Sequence, residues 1–156
     1  MKLRICAVGR LRSGPERTLI DDYTARFDRT GRALSLGPLE EAEVETRKVS
    51  GPGPEAEALL KSVPEGALIV TLDERGREMT SPAFADRLAG WRDEGRPEIC
   101  FLIGGADGLD PSLRARADAS IRFGTMVWPH MLARVMLAEQ LYRAASILAG
   151  SPYHRA

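Results

Sequence analysis

Two short runs constrain this chain more than anything else in it: Ala67–Leu72 (ALIVTL) and Glu98–Ile103 (EICFLI). A strand buried on both faces reads as a continuous apolar run, and such strands belong to parallel sheets covered by helices on both sides. Lys2–Val8 reads as a first strand, with weaker ones at Ala33–Leu39 and Ser120–Phe123. Helical periodicity fills the gaps. Pro15 to about Arg29 carries Leu19, Ile20, Tyr23 and Phe27 on one face, Glu55–Val63 is short, and Thr80 or Ser81 caps a helix carrying Phe84, Leu88 and Trp91 inward. A short basic helix runs from Pro111 through Arg114 and Arg116, and a long one spans roughly Met131–Ala149. Pro15, Pro82 and Pro111 suit first helical turns, where a missing N–H costs nothing. Glu40–Pro54 reads as an exposed loop and Asp73–Glu78 as a polar turn. Strands alternating with helices give an α/β fold with a largely parallel sheet flanked by helices.

The 156 residues contain no long linker or internal repeat, so one domain over 1–156 is expected. No apolar run approaches the roughly 18 residues of a membrane span. Cys6 and Cys100 fall inside strand-like runs, where thiols behave as small hydrophobes, and two cysteines with two histidines offer no spaced metal quartet. A cytoplasmic protein without a metal and without membrane contact is the expectation.

The net charge of zero conceals a pattern. Residues 1–36 hold eight basic and four acidic groups and residues 111–156 six and two, whereas 37–66 hold three and seven and 67–110 five and nine. All but Lys2, Lys48 and Lys61 of the 22 basic residues are arginine, whose planar fork suits bidentate phosphate contact. The basic ends suggest a stripe including Arg10, Arg12, Arg114 and Arg116 that meets RNA.

Ligands of open α/β sheets bind at the carboxyl ends of strands. Three such ends carry unusual residues here: Leu72–Asp73, Gly104-Gly105-Ala106-Asp107-Gly108, and Gly124-Thr125-Met126-Val127-Trp128-Pro129. No G-x-G-x-x-G opens a helix and no phosphate-loop lysine follows, which argues against a nucleotide-binding reductase or a triphosphatase. Backbone groups and apolar walls are what remain to hold a ligand. The long helix is polar only at Arg134, Glu139, Gln140, Arg143 and Ser146, and so much apolar surface calls for packing on more than one side. That predicts a homodimer. Just beyond the helix, Tyr153, His154 and Arg155 bring together an aromatic ring, an imidazole and a guanidinium, a set able to stack a base and hold phosphate.

The strings Val70-Thr71-Leu72-Asp73 with Arg75-Gly76 and Ser81, Ile103-Gly104-Gly105-Ala106-Asp107-Gly108, Pro129-His130 with Arg134, Glu139-Gln140-Leu141-Tyr142-Arg143-Ala144 and Pro152-Tyr153-His154-Arg155 together resemble the bacterial ribosomal RNA large-subunit methyltransferase H family, of the SPOUT class. The resemblance implies methyl transfer from S-adenosylmethionine to N3 of a pseudouridine in 23S rRNA of the ribosome, a homodimer and a C-terminal trefoil knot. It maps the donor site onto Leu72, Gly104, Gly105 and Gly124, Thr125, Met126, Val127, Trp128 and Pro129. Where the family often carries Ser or Thr in the last segment, this chain has only Thr125. Tyr153, His154, Arg155 and Arg143 are the residues expected to hold the target base, with His154 a candidate proton acceptor. Whether the tail acts within its own chain or across a dimer stays open. The alternative is a ribosome- or RNA-binding factor of the same fold without catalysis.

Overall fold

The computed structural model describes residues 1–45 and 51–155. Five parallel strands form one sheet: β1 (Lys2–Val8), β2 (Leu39–Val44), β3 (Leu68–Arg77), β4 (Glu98–Ile103) and β5 (Ala119–Ile121), in the order β2-β1-β4-β3-β5. Helices α1 (Pro15–Gly31), α3 (Ser81–Asp93) and α5 (His130–Leu148) cover one face, packing Ile20, Phe27, Phe84, Leu88, Leu137 and Leu141 on Leu3, Ile5, Val70 and Phe101. Helices α2 (Pro52–Lys61) and α4 (Pro111–Arg116) cover the other, where Leu59 and Leu113 meet Cys6, Ile69, Cys100 and Leu102. Every residue of β4 is buried, which is why that run carries no alternation. No helix among the described residues is long and apolar enough to cross a membrane.

Three elements differ from the sequence reading. The weak strand placed at Ala33–Leu39 has a 3-10 turn at Arg32–Leu34, and the strand itself lies at Leu39–Val44, all but its first residue in the segment read as a loop. Its acids hid it. Glu40 pairs with Lys2 and Arg4, Glu41 with Arg17 and Glu43 with Arg134, so partners distant in sequence neutralise a strand that looks solvated. The rest of that supposed loop is divided: residues 46–50 lie outside the described residues, and α2 begins at Pro52.

The second difference is at Asp73–Glu78. Here β3 continues to Arg77 rather than turning, shifting register so that both Leu72 and Arg77 pair with Ile121. A Cβ on Gly76 would stand 2.6 Å from the Ile121 carbonyl carbon, so only glycine lets the two backbones pass this closely. The third is β5, which ends at Ile121 instead of Phe123 and leaves Arg122–Pro129 to run as a loop to α5. Thr80 rather than Ser81 caps α3, accepting from Ala83 N at 3.2 Å.

Candidate active site

The stretch Leu72–Arg75 of β3, where its register shifts, and the carboxyl ends of β4 and β5 open on a cleft of about 1030 Å³, at the upper limit of the roughly 300–1,000 Å³ usual for small-molecule sites. Leu72, Gly104, Gly105, Gly124, Met126, Val127, Trp128 and Pro129 all line it. Thr125, the only hydroxyl of its segment, is exposed and stands outside the lining. One side of the cleft is closed by Trp128, whose indole N–H donates to Phe123 O at 3.3 Å and folds the loop back on itself.

The glycines have separate reasons. A Cβ on Gly104 would lie 2.6 Å from Gly108 O, so the turn itself demands glycine there. At Gly105 it would press at 3.3 Å on the Glu55 carboxylate. Gly124 has φ +114° with open space where a side chain would stand, and its backbone therefore faces the cleft bare.

Charge in the cleft is arranged by one buried pair. Arg114 donates to Asp73 Oδ2 at 3.0 Å and to Leu109 O at 3.1 Å, while Asp73 Oδ1 accepts from Arg75 N at 2.8 Å. Arg114, expected in the basic stripe, is thus tied from α4 to Asp73 within β3. Glu74 and Asp107 also line the cleft and, like Arg75 beside them, form no ion pair among the described residues. His130, on the first turn of α5, lines the wall. Burial, and then the charge of Arg134, push its pKa below the usual imidazole value, so the ring is neutral at pH 7.

The tail forms a different constellation. Tyr153 Oη donates to Glu139 Oε1 at 2.9 Å, and Arg143 reaches the same oxygen through Nη2 at 2.6 Å and Nε at 3.0 Å. The Arg143 guanidinium lies 4.7 Å over the Tyr153 ring, which tilts against Tyr142 at 4.6 Å. Arg143 Nη1 lies 3.3 Å from His154 Nδ1. Arginine can only donate, so Nδ1 is the acceptor and a neutral His154 carries its proton on Nε2. Burial, reinforced by the bond to Glu139, pushes the Tyr153 hydroxyl well above the ordinary phenol value and keeps it protonated.

None of Tyr153, His154, Arg155 and Arg143 lines the cleft. Their hub, Glu139, lies nine residues beyond His130, about 14 Å along the helix axis. It borders a second cavity of about 790 Å³, walled by Leu19, Tyr23, Met79, Phe84, Val135 and Met136. Ile121, Arg122, Phe123 and Gly124 line both cavities. The structure thus gathers the strand-end residues and the tail residues into two neighbouring groups. Sequence reasoning singled out Leu72–Asp73 as a strand end, gave His130 no site role, and missed Glu139 as a site residue. The i,i+4 spacing of Glu139 and Arg143 on an otherwise apolar helix was the available signal for Glu139.

Residues 1–154 match a family model described as predicted SPOUT methyltransferase. Over 155 residues, covering 99% of each chain, the sequence is 68% identical to the ribosomal RNA large subunit methyltransferase H of Ruegeria pomeroyi and 68% identical to that of Dinoroseobacter shibae. A probable methylase family protein from Haemophilus influenzae shares the fold, with TM-score 0.58 and 13% identity over 99% of this chain and 70% of that one. A full-length family match and relatives at this identity leave one assignment: the chain belongs to the SPOUT methyltransferase family.

Proposed function

We propose that this methyltransferase takes its methyl group from S-adenosylmethionine and delivers it to N3 of a pseudouridine in 23S rRNA of the ribosome. The convergence of the β3 segment Leu72–Arg75 with the loops after β4 and β5 on one cleft carries the reading, and the name borne by the relatives supports the ribosomal substrate. The cleft fits this donor. Apolar walls from Leu72, Ile103, Leu109, Met126, Val127 and Trp128 suit an adenosyl group, bare backbone at Gly124 suits hydrogen bonds to a purine edge, and the acids Glu74 and Asp107 suit a sulfonium cation.

The donor supplies a methyl carbon already activated on sulfur. Residues of this chain then have to align it, exclude water and favour loss of the N3 proton. Alignment alone lowers such barriers by about 7–11 kcal/mol in well-oriented systems. Trp128 and Pro129 shield the cleft. Arg155, Arg143 and the Nε2–H of His154 act as donors to the base oxygens, stabilising the anion left when N3 gives its proton to solvent. In this geometry His154 presents a donor, and Tyr153 orients the tail through Glu139.

We further propose that two copies complete the site, the tail of one facing the cleft of the other. The support is the separation of the two groups within one chain, together with exposed apolar side chains at Leu19, Met79, Met126, Val127, Trp128, Met131 and Leu132. Of these, Leu19 and Met79 line the second cavity and Met126, Val127 and Trp128 line the cleft. The C-terminal trefoil knot implied by the family belongs to the same reading.

The test is transfer of labelled methyl to purified ribosomes and to free 23S rRNA, followed by nucleoside mapping. Label on N3 of a pseudouridine is expected. Label on another position, or none from a protein that binds the donor, overturns the reading.

A further inference from the structure

The loop between β1 and α1, Gly9–Gly14, is held with unusual firmness. Arg134 is only 1% exposed. Its Nη2 donates to Gly9 O at 2.9 Å and its Nη1 to Glu43 Oε2 at 2.7 Å. The same carboxylate oxygen accepts from Leu11 N at 2.6 Å, and Gly9 N donates to Val44 O at 2.9 Å. One helical turn into α1, Arg17 grips Glu41 through both terminal nitrogens at 2.6 and 2.9 Å. Both roots of the loop are therefore fixed by charge-assisted bonds, the stronger class of hydrogen bond. Burial opposes ionisation of Glu43, but the bonds from Leu11 and Arg134 prevail and hold its carboxyl below the ordinary range.

What the loop presents is two cations. Arg10 and Arg12 are exposed, and neither forms an ion pair or donates a hydrogen bond among the described residues. Leu11 between them is turned inward. The sheet places them beside the donor cleft: Ala7 pairs with Ile103, and Val8 Cγ1 is 3.3 Å from where a Gly105 Cβ would stand. The anchor is equally close, since Ala133, the neighbour of Arg134, lines the cleft. A loop whose backbone is immobilised while two guanidiniums stay free is built for a ligand with repeated anionic groups, and a surface loop without such clamps would lose entropy on binding.

We infer that the Gly9–Gly14 loop is a contact for the phosphate backbone of the substrate RNA, with Arg10 and Arg12 as the phosphate ligands and Arg134 and Glu43 as positioning residues. The inference rests on the ribosomal RNA reading above. Arg134 and Glu43 touch no substrate in it; they fix where the loop stands relative to the methyl donor.

The experiment measures ribosome binding and methyl transfer across roughly 50–200 mM salt for the wild type, R10Q/R12Q and E43Q, with donor affinity followed by calorimetry. Each lost phosphate contact removes about 0.7–0.9 from the slope of log affinity against log salt, so R10Q/R12Q is expected to lose about 1.5 while donor affinity stays unchanged. E43Q discriminates by sign. It removes a negative charge near RNA, so a purely electrostatic role predicts tighter ribosome binding, whereas a positioning role predicts a KM for ribosomes raised several-fold. A wild-type salt slope in R10Q/R12Q, or tighter binding by E43Q, overturns the inference. The same result with an acidic ribosomal protein in place of RNA, lost on protein digestion and kept on nuclease treatment, also overturns it. A wild type that neither binds nor methylates ribosomes removes the underlying reading and the loop assignment together.

Discussion

The Tyr153 hydroxyl and the Glu139 carboxylate stand 2.9 Å apart, tying the last turn of the chain back to the middle of the helix it has just left. Terminal residues are ordinarily frayed; these are not, because Glu139 also holds Arg143, and Arg143 holds His154. Glu139→Ala is expected to slow methyl transfer by about tenfold or more, since a hydrogen bond to a charged group contributes roughly 1.5–3 kcal/mol and 1.4 kcal/mol is a decade in rate. Donor affinity by calorimetry should stay within twofold. An equal fall in both would mean that tail and cleft form one unit within a single chain.

Arg114→Ala leaves Asp73, whose side chain is only 4% exposed, facing no cation. Breaking a buried pair from one side costs about 3–5 kcal/mol, and the partial exposure of Arg114 places the loss near the lower figure. Urea unfolding measures it, and Arg114→Lys should recover part of the loss. Unchanged stability with weakened ribosome binding would restore Arg114 to the surface stripe.

Gly104→Ala forces a methyl group against Gly108 O and should cost about 1–3 kcal/mol of stability together with donor binding. Gly124→Ala meets no atom but puts alanine at φ +114°, so its cost, about 1–3 kcal/mol, falls on the backbone of the cleft loop rather than on packing. The two variants separate a glycine the turn needs from one the cleft needs.

The folded protein holds His130 below the ordinary 6.5. Below pH 6.5 the unfolded chain therefore binds a proton at this site that the native chain resists, and stability falls as pH drops through that window. Above it the group contributes no pH dependence. His130→Asn should flatten this part of the unfolding free energy measured between pH 7 and 5.

Met131 and Leu132 are 43% and 42% exposed at the start of α5. Leu132→Glu should shift sedimentation from dimer to monomer at micromolar concentration and abolish transfer while leaving a folded chain by circular dichroism. A wild-type monomer at that concentration would remove the two-copy arrangement.

The sequence made some of this legible and concealed the rest for definite reasons. Glu98–Ile103 was readable to the residue because a strand covered on both faces shows no alternation. Leu39–Val44 was not, since its acids are answered by Lys2, Arg4, Arg17 and Arg134 from three other elements, and no local pattern reports that. The extension of β3 through Asp73–Arg77 was hidden in the same way, its pairing to Ile121 depending on a glycine crossing rather than on hydropathy. The three segments picked out by residue type do line one cleft, Leu72–Asp73 from within β3 rather than from its end. The standing of the tail apart from it depends on the path of the chain in space, which residue types alone do not encode.

Ile121–Gly124 form the partition common to both cavities. Anything that seats itself in the smaller one bears on the wall of the cleft, and any effect must be reciprocal, because coupling free energy between two occupants is one quantity. Self-association and donor uptake should therefore be linked: with one donor site per copy, the factor by which saturating donor multiplies the dimerisation constant is the square of the factor by which dimerisation multiplies the donor's affinity at each site.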